Sequence, residues 1–161
     1  MFAQSHPHSP RRTAAGLTVV ELLFALMIVG VLFGIAQAQY SDYRERIRRN
    51  QAIQEITTLQ VVIGQYVLEE RKVPASLADI GRAGMQDPWG RPYVYTDIGA
   101  PGGHGAARKD HSLNPINSDY DIYSFGPDGV SKKQLTNQDS LDDIVRARDG
   151  AFIGVAADFV S

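Results

Sequence analysis

From Leu17 to Ala36 apolar residues follow one another with a single ionisable side chain among them, Glu21. A run of about 20 such residues is long enough to cross a bilayer as one helix, which predicts a membrane segment over about 17–37. Beyond Ala36 the pattern turns amphipathic. Tyr40, Tyr43, Ile47, Ile53, Ile56, Leu59, Ile63 and Tyr66 recur mostly at three- and four-residue intervals, and Arg44, Glu45, Arg46, Arg48, Arg49 and Glu55 occupy much of the other side, which is the helical period. No proline and no glycine-rich break interrupts the pattern before Val73-Pro74, so both stretches read as one helix over 17–72, about 55 residues and roughly 80 Å long. Ser76 is placed to cap a short helix through Ile80 that Gly81 and Gly84 end. The segment Asp87-Pro88-Trp89-Gly90-Arg91-Pro92 reads as a rigid turn with Trp89 packed in the core, and Tyr93 to Thr96 as a strand. Residues 97–118, rich in Gly, Pro and Asn, read as an exposed variable loop. From Asp119 the chain alternates, with Tyr120, Ile122 and Ser124 on one face and Asp121, Tyr123 and Phe125 on the other. This second strand runs into the turn Gly126-Pro127-Asp128-Gly129, and Ala151 to Val155 offers a last strand. The fold class is α+β: a long N-terminal helix, membrane-spanning in its first half, packed on a small antiparallel sheet in a C-terminal domain over 73–161.

Glu21 is the anomaly of the apolar run. A carboxylate within a membrane segment costs roughly 2.5–3.5 kcal/mol and marks a function with a partner charge, yet the run holds no basic side chain. A cut between Gly16 and Leu17 would supply one, because the new amine would lie one helical turn from Glu21 in its own or a neighbouring subunit. Residues 1–16, with His6, Pro7, His8, Pro10, Arg11 and Arg12 and no apolar pattern, read as a disordered cytoplasmic leader. A secretory signal peptide cut near Ala36-Gln37-Ala38 and a plain membrane anchor are the competing readings, and neither gives Glu21 a role. Gly30 and Gly34 make a small-xxx-small pair that lets helices approach closely.

Composition narrows the function. Of 161 residues, removal of 16 leaves 145, one domain with its anchor. The formal net charge is −2, and loss of Arg11 and Arg12 takes it to −4, which argues against nucleic acid as a partner. The chain has no cysteine, so disulfides, thiolate metal sites and cysteine nucleophiles are excluded, and a small exported domain must find another staple. Ser, His and Asp stand at no telling spacing, so the chain does not read as an enzyme. His104 and His111 lack a third ligand for zinc. Asp139, Asp142 and Asp143 return close to one another in sequence and offer oxygen ligands of the kind that suits calcium, though no EF-hand is present.

Arg11, Arg12, Gly16, Leu17 and Glu21 together resemble the class III signal of type IV pilins and type II secretion pseudopilins. Asp87-Pro88-Trp89-Gly90-Arg91-Pro92-Tyr93 is similar to a segment of the major pseudopilins of type II secretion, as is the Gly126-Pro127-Asp128-Gly129 turn with a later acidic pair before Ile144. The resemblance implies cleavage after Gly16 and N-methylation of Leu17 by a prepilin peptidase. It also implies a single pass through the bacterial inner membrane, N-terminus cytoplasmic and C-terminal domain periplasmic. There the chain would form a homopolymeric periplasmic filament that drives protein secretion, with Glu21 as the assembly residue. Membrane lipid, an inner-membrane assembly platform and minor pseudopilins are the implied partners. It implies one calcium ion, held by Asp128 and Asp142 or Asp143 with carbonyls such as that of Phe125. Thirteen residues separate Asp128 from Asp142, and Val145-Arg146 stands where the family has Asn-Trp. The alternatives are a type IV pilin for adhesion, motility or DNA uptake, and a membrane-tethered periplasmic calcium-binding module that does not polymerise.

Overall fold

A computed structural model describes residues 16–161. The expected leader, with His6, His8, Arg11 and Arg12, lies outside the described residues except for Gly16. The chain divides into two compact units between Ser41 and Asp42, and helix α1, Val19–Glu70, runs through both. Thr18 opens the helix: its carbonyl accepts the first i→i−4 bond, from the Leu22 N–H at 3.1 Å, and its hydroxyl accepts the Glu21 N–H at 3.2 Å, a donor that a helix start otherwise leaves orphaned. The helix closes where Arg71 turns left-handed, at a φ of 58°, and donates its N–H to the Val67 carbonyl at 3.0 Å. Pro74, three residues on, cannot continue it.

In the first unit every residue from Gly16 to Gln37 is exposed. Among the described residues, α1 alone is long and apolar enough to cross a membrane.

In the second unit α1 turns one stripe inward. Ala52, Ile56, Leu59 and Ile63 recur every three or four residues and are buried with Tyr93, Tyr120, Ile122 and Ile144. Tyr43 and Ile47, expected to continue that stripe, are exposed, as is Tyr40 in the first unit. Glu45 and Glu55, expected on the polar side, instead receive aromatic donors: Trp89 Nε1 gives its proton to Glu45 at 3.2 Å and the Tyr93 hydroxyl its proton to Glu55 at 2.6 Å. Ser76 and Asp79 form a capping box around the one-turn helix Leu77–Ile80, which Gly81 ends at a φ of 68°.

The sheet is an antiparallel meander of β1 (Val94–Asp97), β2 (Tyr120–Ser124), β3 (Ile144–Ala147) and β4 (Phe152–Val155), in that order. Val94 pairs with Tyr123, Ser124 with Ile144 and Val145 with Gly154. Strand side chains alternate between faces, so Tyr120, Ile122 and Ile144 meet α1 while Tyr123, Val145 and Ala147 point the other way, into a second cluster with Ile116, Leu135 and Ala156. That second face corrects the expectation of an exposed loop over 97–118. The segment folds back across the sheet, burying Ile98, Gly103, Ala107, Arg108, Ile116 and Asn117, and two short helices, α2 (Gly103–Ala106) and α3 (Ala156–Val160), complete this side. Gly103 permits the fold-back, since a Cβ there would collide with the backbone carbonyls of Asp97 and Ile98.

Ile56 and Ile47 lie on one helix but only Ile56 is fully enclosed, so truncation should separate them. Ile56→Ala is expected to cost about 2–5 kcal/mol in urea unfolding of the detergent-solubilised chain, and Ile47→Ala less than about 1 kcal/mol.

Candidate functional site

The acidic loop is built on two turns locked together. Asp87 is buried; its Oδ1 accepts the N–H groups of Trp89 at 3.0 Å and Arg91 at 2.9 Å, and its Oδ2 the Ser124 hydroxyl at 2.5 Å. That turn aims Arg91 across to the second, where Nη2 donates to the carbonyls of Gly126 at 2.6 Å and Pro127 at 3.2 Å. Gly129 adopts a φ of 73°, and a Cβ there would overlap the Arg91 guanidinium, so the close approach requires glycine.

Asp128 and Asp142 come together on this loop: the Asp128 N–H donates to Asp142 Oδ2 at 3.2 Å, and Asp128 Oδ1 accepts the Val130 N–H at 2.8 Å. Asp143 leaves them. It precedes β3 with the parity of Val145, which directs its side chain to the second face of the sheet, where it is fully buried. Arg108 meets it there. Arg108 Nη2 donates to Asp143 Oδ2 at 2.5 Å, Nη1 to the Ser131 hydroxyl, and that hydroxyl to Asp143 Oδ2 at 2.6 Å. The guanidinium lies 4.3 Å from the centre of the Tyr123 ring, and the Arg108 backbone N–H donates to Asp121 Oδ2 at 2.6 Å.

These contacts test the expected calcium set of Phe125, Asp128, Asp142 and Asp143. In its favour, Asp143 Oδ1 is buried without a hydrogen-bond partner. Against it, Asp143 already faces a guanidinium, and two carbonyls of the turn are held by a second one. Among the described residues no three acidic or histidine side chains converge as a metal group. Calcium takes six to eight oxygens; the arrangement does not fit it, and adjacency in sequence is a poor guide where an extended chain sends neighbours to opposite faces.

Sequence reasoning also missed Arg146, which is buried on the α1 face. It pairs with both oxygens of Asp119 at 2.8 Å, donates to the Tyr120 carbonyl at 2.9 Å and to Gln60 Oε1 of α1 at 2.9 Å, and lies 3.9 Å from the Tyr120 ring centre. The signal available was parity: Arg146 shares a face with Ile144 and Asp143 one with Val145, both buried, and a buried charge needs an opposite charge or hydrogen-bond partners.

Burial shifts these acids. Desolvation pushes the Asp143 carboxyl up to about 6, with the Arg108 charge and the Ser131 hydroxyl opposing and Asp142 adding. Desolvation also raises Asp121 and Asp142, while backbone N–H donation from Ser118 lowers Asp149.

At the other candidate site, Gly16 and Leu17 precede the helix and Glu21 lies in its first turn, where the helix dipole favours a negative charge. The Thr18 hydroxyl approaches Glu21 Oε2 at 3.5 Å. Thr18-x-x-Glu21 is thus a helix-start pattern as well as a candidate assembly element, a local role that the apolar run concealed.

The chain is 25% identical over 145 residues to the type II secretion system core protein G of Escherichia coli, covering 76% of this chain and 89% of that protein. With the core protein G of Dickeya chrysanthemi it shares 24% over 140 residues, 74% of this chain and 81% of the relative. It is similar to the type II secretion core proteins G. Since α1 and the residues before it make up less than half of the chain, the likeness to core protein G takes in part of the sheet domain. A fimbrial protein of Pseudomonas aeruginosa is 33% identical over 61 residues, 38% of this chain and 40% of its own length. No family profile and no solved structure matches the chain.

The raised carboxyl of Asp143 carries a signed pH dependence. Its proton is held to higher pH in the folded chain than in the unfolded one, so its contribution is full below the ordinary carboxylate range and is lost as pH rises towards about 6. The unfolding free energy of the solubilised chain should therefore be higher near pH 5 than near pH 7.5, by about 1 kcal/mol. Asp143→Asn should flatten that difference; a difference unchanged in Asp143→Asn would contradict the assignment.

Proposed function

We propose that the chain is a structural subunit of a pseudopilus that serves type II protein secretion, and not an enzyme. The observation that carries the reading is the apolar half of α1, exposed throughout within its own chain and headed by Glu21 one turn from the Gly16-Leu17 junction. Such a segment suits two environments in turn, a bilayer and then the interior of a polymer of the same chain. The reading places the subunit in the inner membrane with its sheet domain periplasmic, before assembly with a membrane platform and minor pseudopilins. The likeness to core protein G over about three quarters of the chain favours secretion over a type IV pilus, because the fimbrial likeness covers 38%.

In this reading a prepilin peptidase removes residues 1–16 and methylates the new amine. Intact-mass measurement and N-terminal sequencing of the membrane-extracted protein should find Leu17 first, carrying one methyl. A mature start at Gln39 would identify a secretory signal peptide instead.

Glu21 then pairs with the Leu17 amine of a neighbouring subunit. Glutamine can serve the helix start as glutamate does but carries no charge, so Glu21→Gln separates the two roles. With the assembly genes co-expressed, Glu21→Gln and Glu21→Leu are expected to reach wild-type levels in the membrane, since removing a charge eases insertion, and to yield no sheared fibres. Normal fibres from Glu21→Gln would reduce Glu21 to a helix-start residue and favour the non-polymerising tether.

A further inference from the structure

We infer that the Arg108 guanidinium is the built-in cation of the sheet domain, doing through one side chain the cross-linking that the resemblance assigns to a bound calcium ion. The inference concerns the folded domain alone and stands whether or not copies of the chain assemble.

The argument rests on what Arg108 joins. Its segment is tied to itself and to the loop after β2 by backbone hydrogen bonds. The Lys109 N–H donates to the Lys133 carbonyl at 2.8 Å, the Leu135 N–H to the Lys109 carbonyl at 2.9 Å and the Ile116 N–H to the Arg108 carbonyl at 3.0 Å. From that fixed start the side chain, 2% exposed, reaches Asp143 before β3 and Ser131 in the loop after β2, and lies over Tyr123 of β2, while its backbone N–H holds Asp121 of β2. A metal ion staples a loop-rich domain by drawing ligands from segments distant in sequence, and this guanidinium does the same with directed donors. Planar N–H groups also suit it to a buried carboxylate better than an ammonium. Asp143, one of the two acids named as alternative calcium ligands, is committed to this contact. Gly126 and Pro127 give their carbonyls to Arg91, so the neighbouring turn is likewise closed by a side-chain cation.

Two further features fit. The chain has no cysteine to staple the domain, and the segment carrying Arg108 is Gly- and Pro-rich, with few apolar side chains to hold it down. The buried charge of Arg108 thus adds directed donors to the apolar contacts of Ile98, Ala107 and Ile116 that fix residues 98–117 over the sheet. Removal of one partner of a buried ion pair strands the other in a poor solvent, whereas exchange of both for apolar residues is far milder.

The test is thermal unfolding of the full chain in detergent, in chelator, in about 5 mM calcium and in about 5 mM magnesium. A calcium site filled a hundredfold above its Kd would raise the midpoint by roughly 10 °C; the expected shift is within about 1 °C of zero for both ions. Arg108→Ala and Asp143→Ala should each lower the midpoint by roughly 10 °C or more. Asp128→Ala and Asp142→Ala should lower it by less than about 4 °C. If the single variants do not fold, the double variant Arg108→Met with Asp143→Leu should, at a midpoint within about 5 °C of wild type. A calcium-dependent rise in the wild-type midpoint that Asp142→Ala removes would overturn the inference. So would an Arg108→Ala midpoint within about 2 °C of wild type.

Discussion

An apolar helix that its own chain leaves uncovered must be covered by something else. Each large apolar side chain that passes from water to an apolar environment gains about 1.5–3 kcal/mol, and the exposed side chains of residues 17–36 include many leucines, valines, isoleucines and phenylalanines. Lipid can supply that cover, and so can other copies of the same segment. Within the sheet domain the helix gives its stripe from Ala52 onward to Tyr93, Tyr120, Ile122 and Ile144. One helix thus carries two hydrophobic surfaces for two purposes, with the exposed Tyr40, Tyr43 and Ile47 lying between the apolar run and the buried stripe.

The sheet domain answers a different constraint, that of holding a loop-rich fold without disulfides. It does so with two buried arginines on opposite faces of one sheet. Arg146 ties β2 and β3 to Gln60 of α1, and Arg108 ties the returning segment 98–117 to β2, Ser131 and Asp143. Such pairs are costly to desolvate, which is why the Asp143 carboxyl is pushed up despite its partner. Their value lies in specificity of position: each guanidinium fits one set of carboxylate, carbonyl and hydroxyl oxygens, and a loop docked in any other register would bury a charge alone.

Periodicity made much of this legible. The long helix, its end before Pro74, the Ser76-capped turn, the strands near Tyr93 and Tyr120 and the last strand after Ala151 all follow from patterns that neighbouring residues carry. The segment 98–117 was not legible, because its docking rests on Ile98, Ala107, Arg108 and Ile116 scattered among glycines, prolines and polar residues. Strand β3 was hidden by its acidic approach, which drew Asp142 and Asp143 into one ligand set; the alternation of an extended chain separates them. Glu21 shows the converse case. Its position in the apolar run was conspicuous, while its place three residues after a capping threonine, an ordinary helix-start pattern, was overlooked.

The assembly account is tested most directly by a cryo-electron microscopy reconstruction of fibres sheared from cells that co-express this chain with a secretion assembly machinery. The account predicts residues 19–36 packed between copies along the fibre axis, with Glu21 beside a neighbour's Leu17 amine and the sheet domains outermost. A fibre in which residues 19–36 face solvent, or in which each Glu21 is remote from every Leu17 amine, would contradict it.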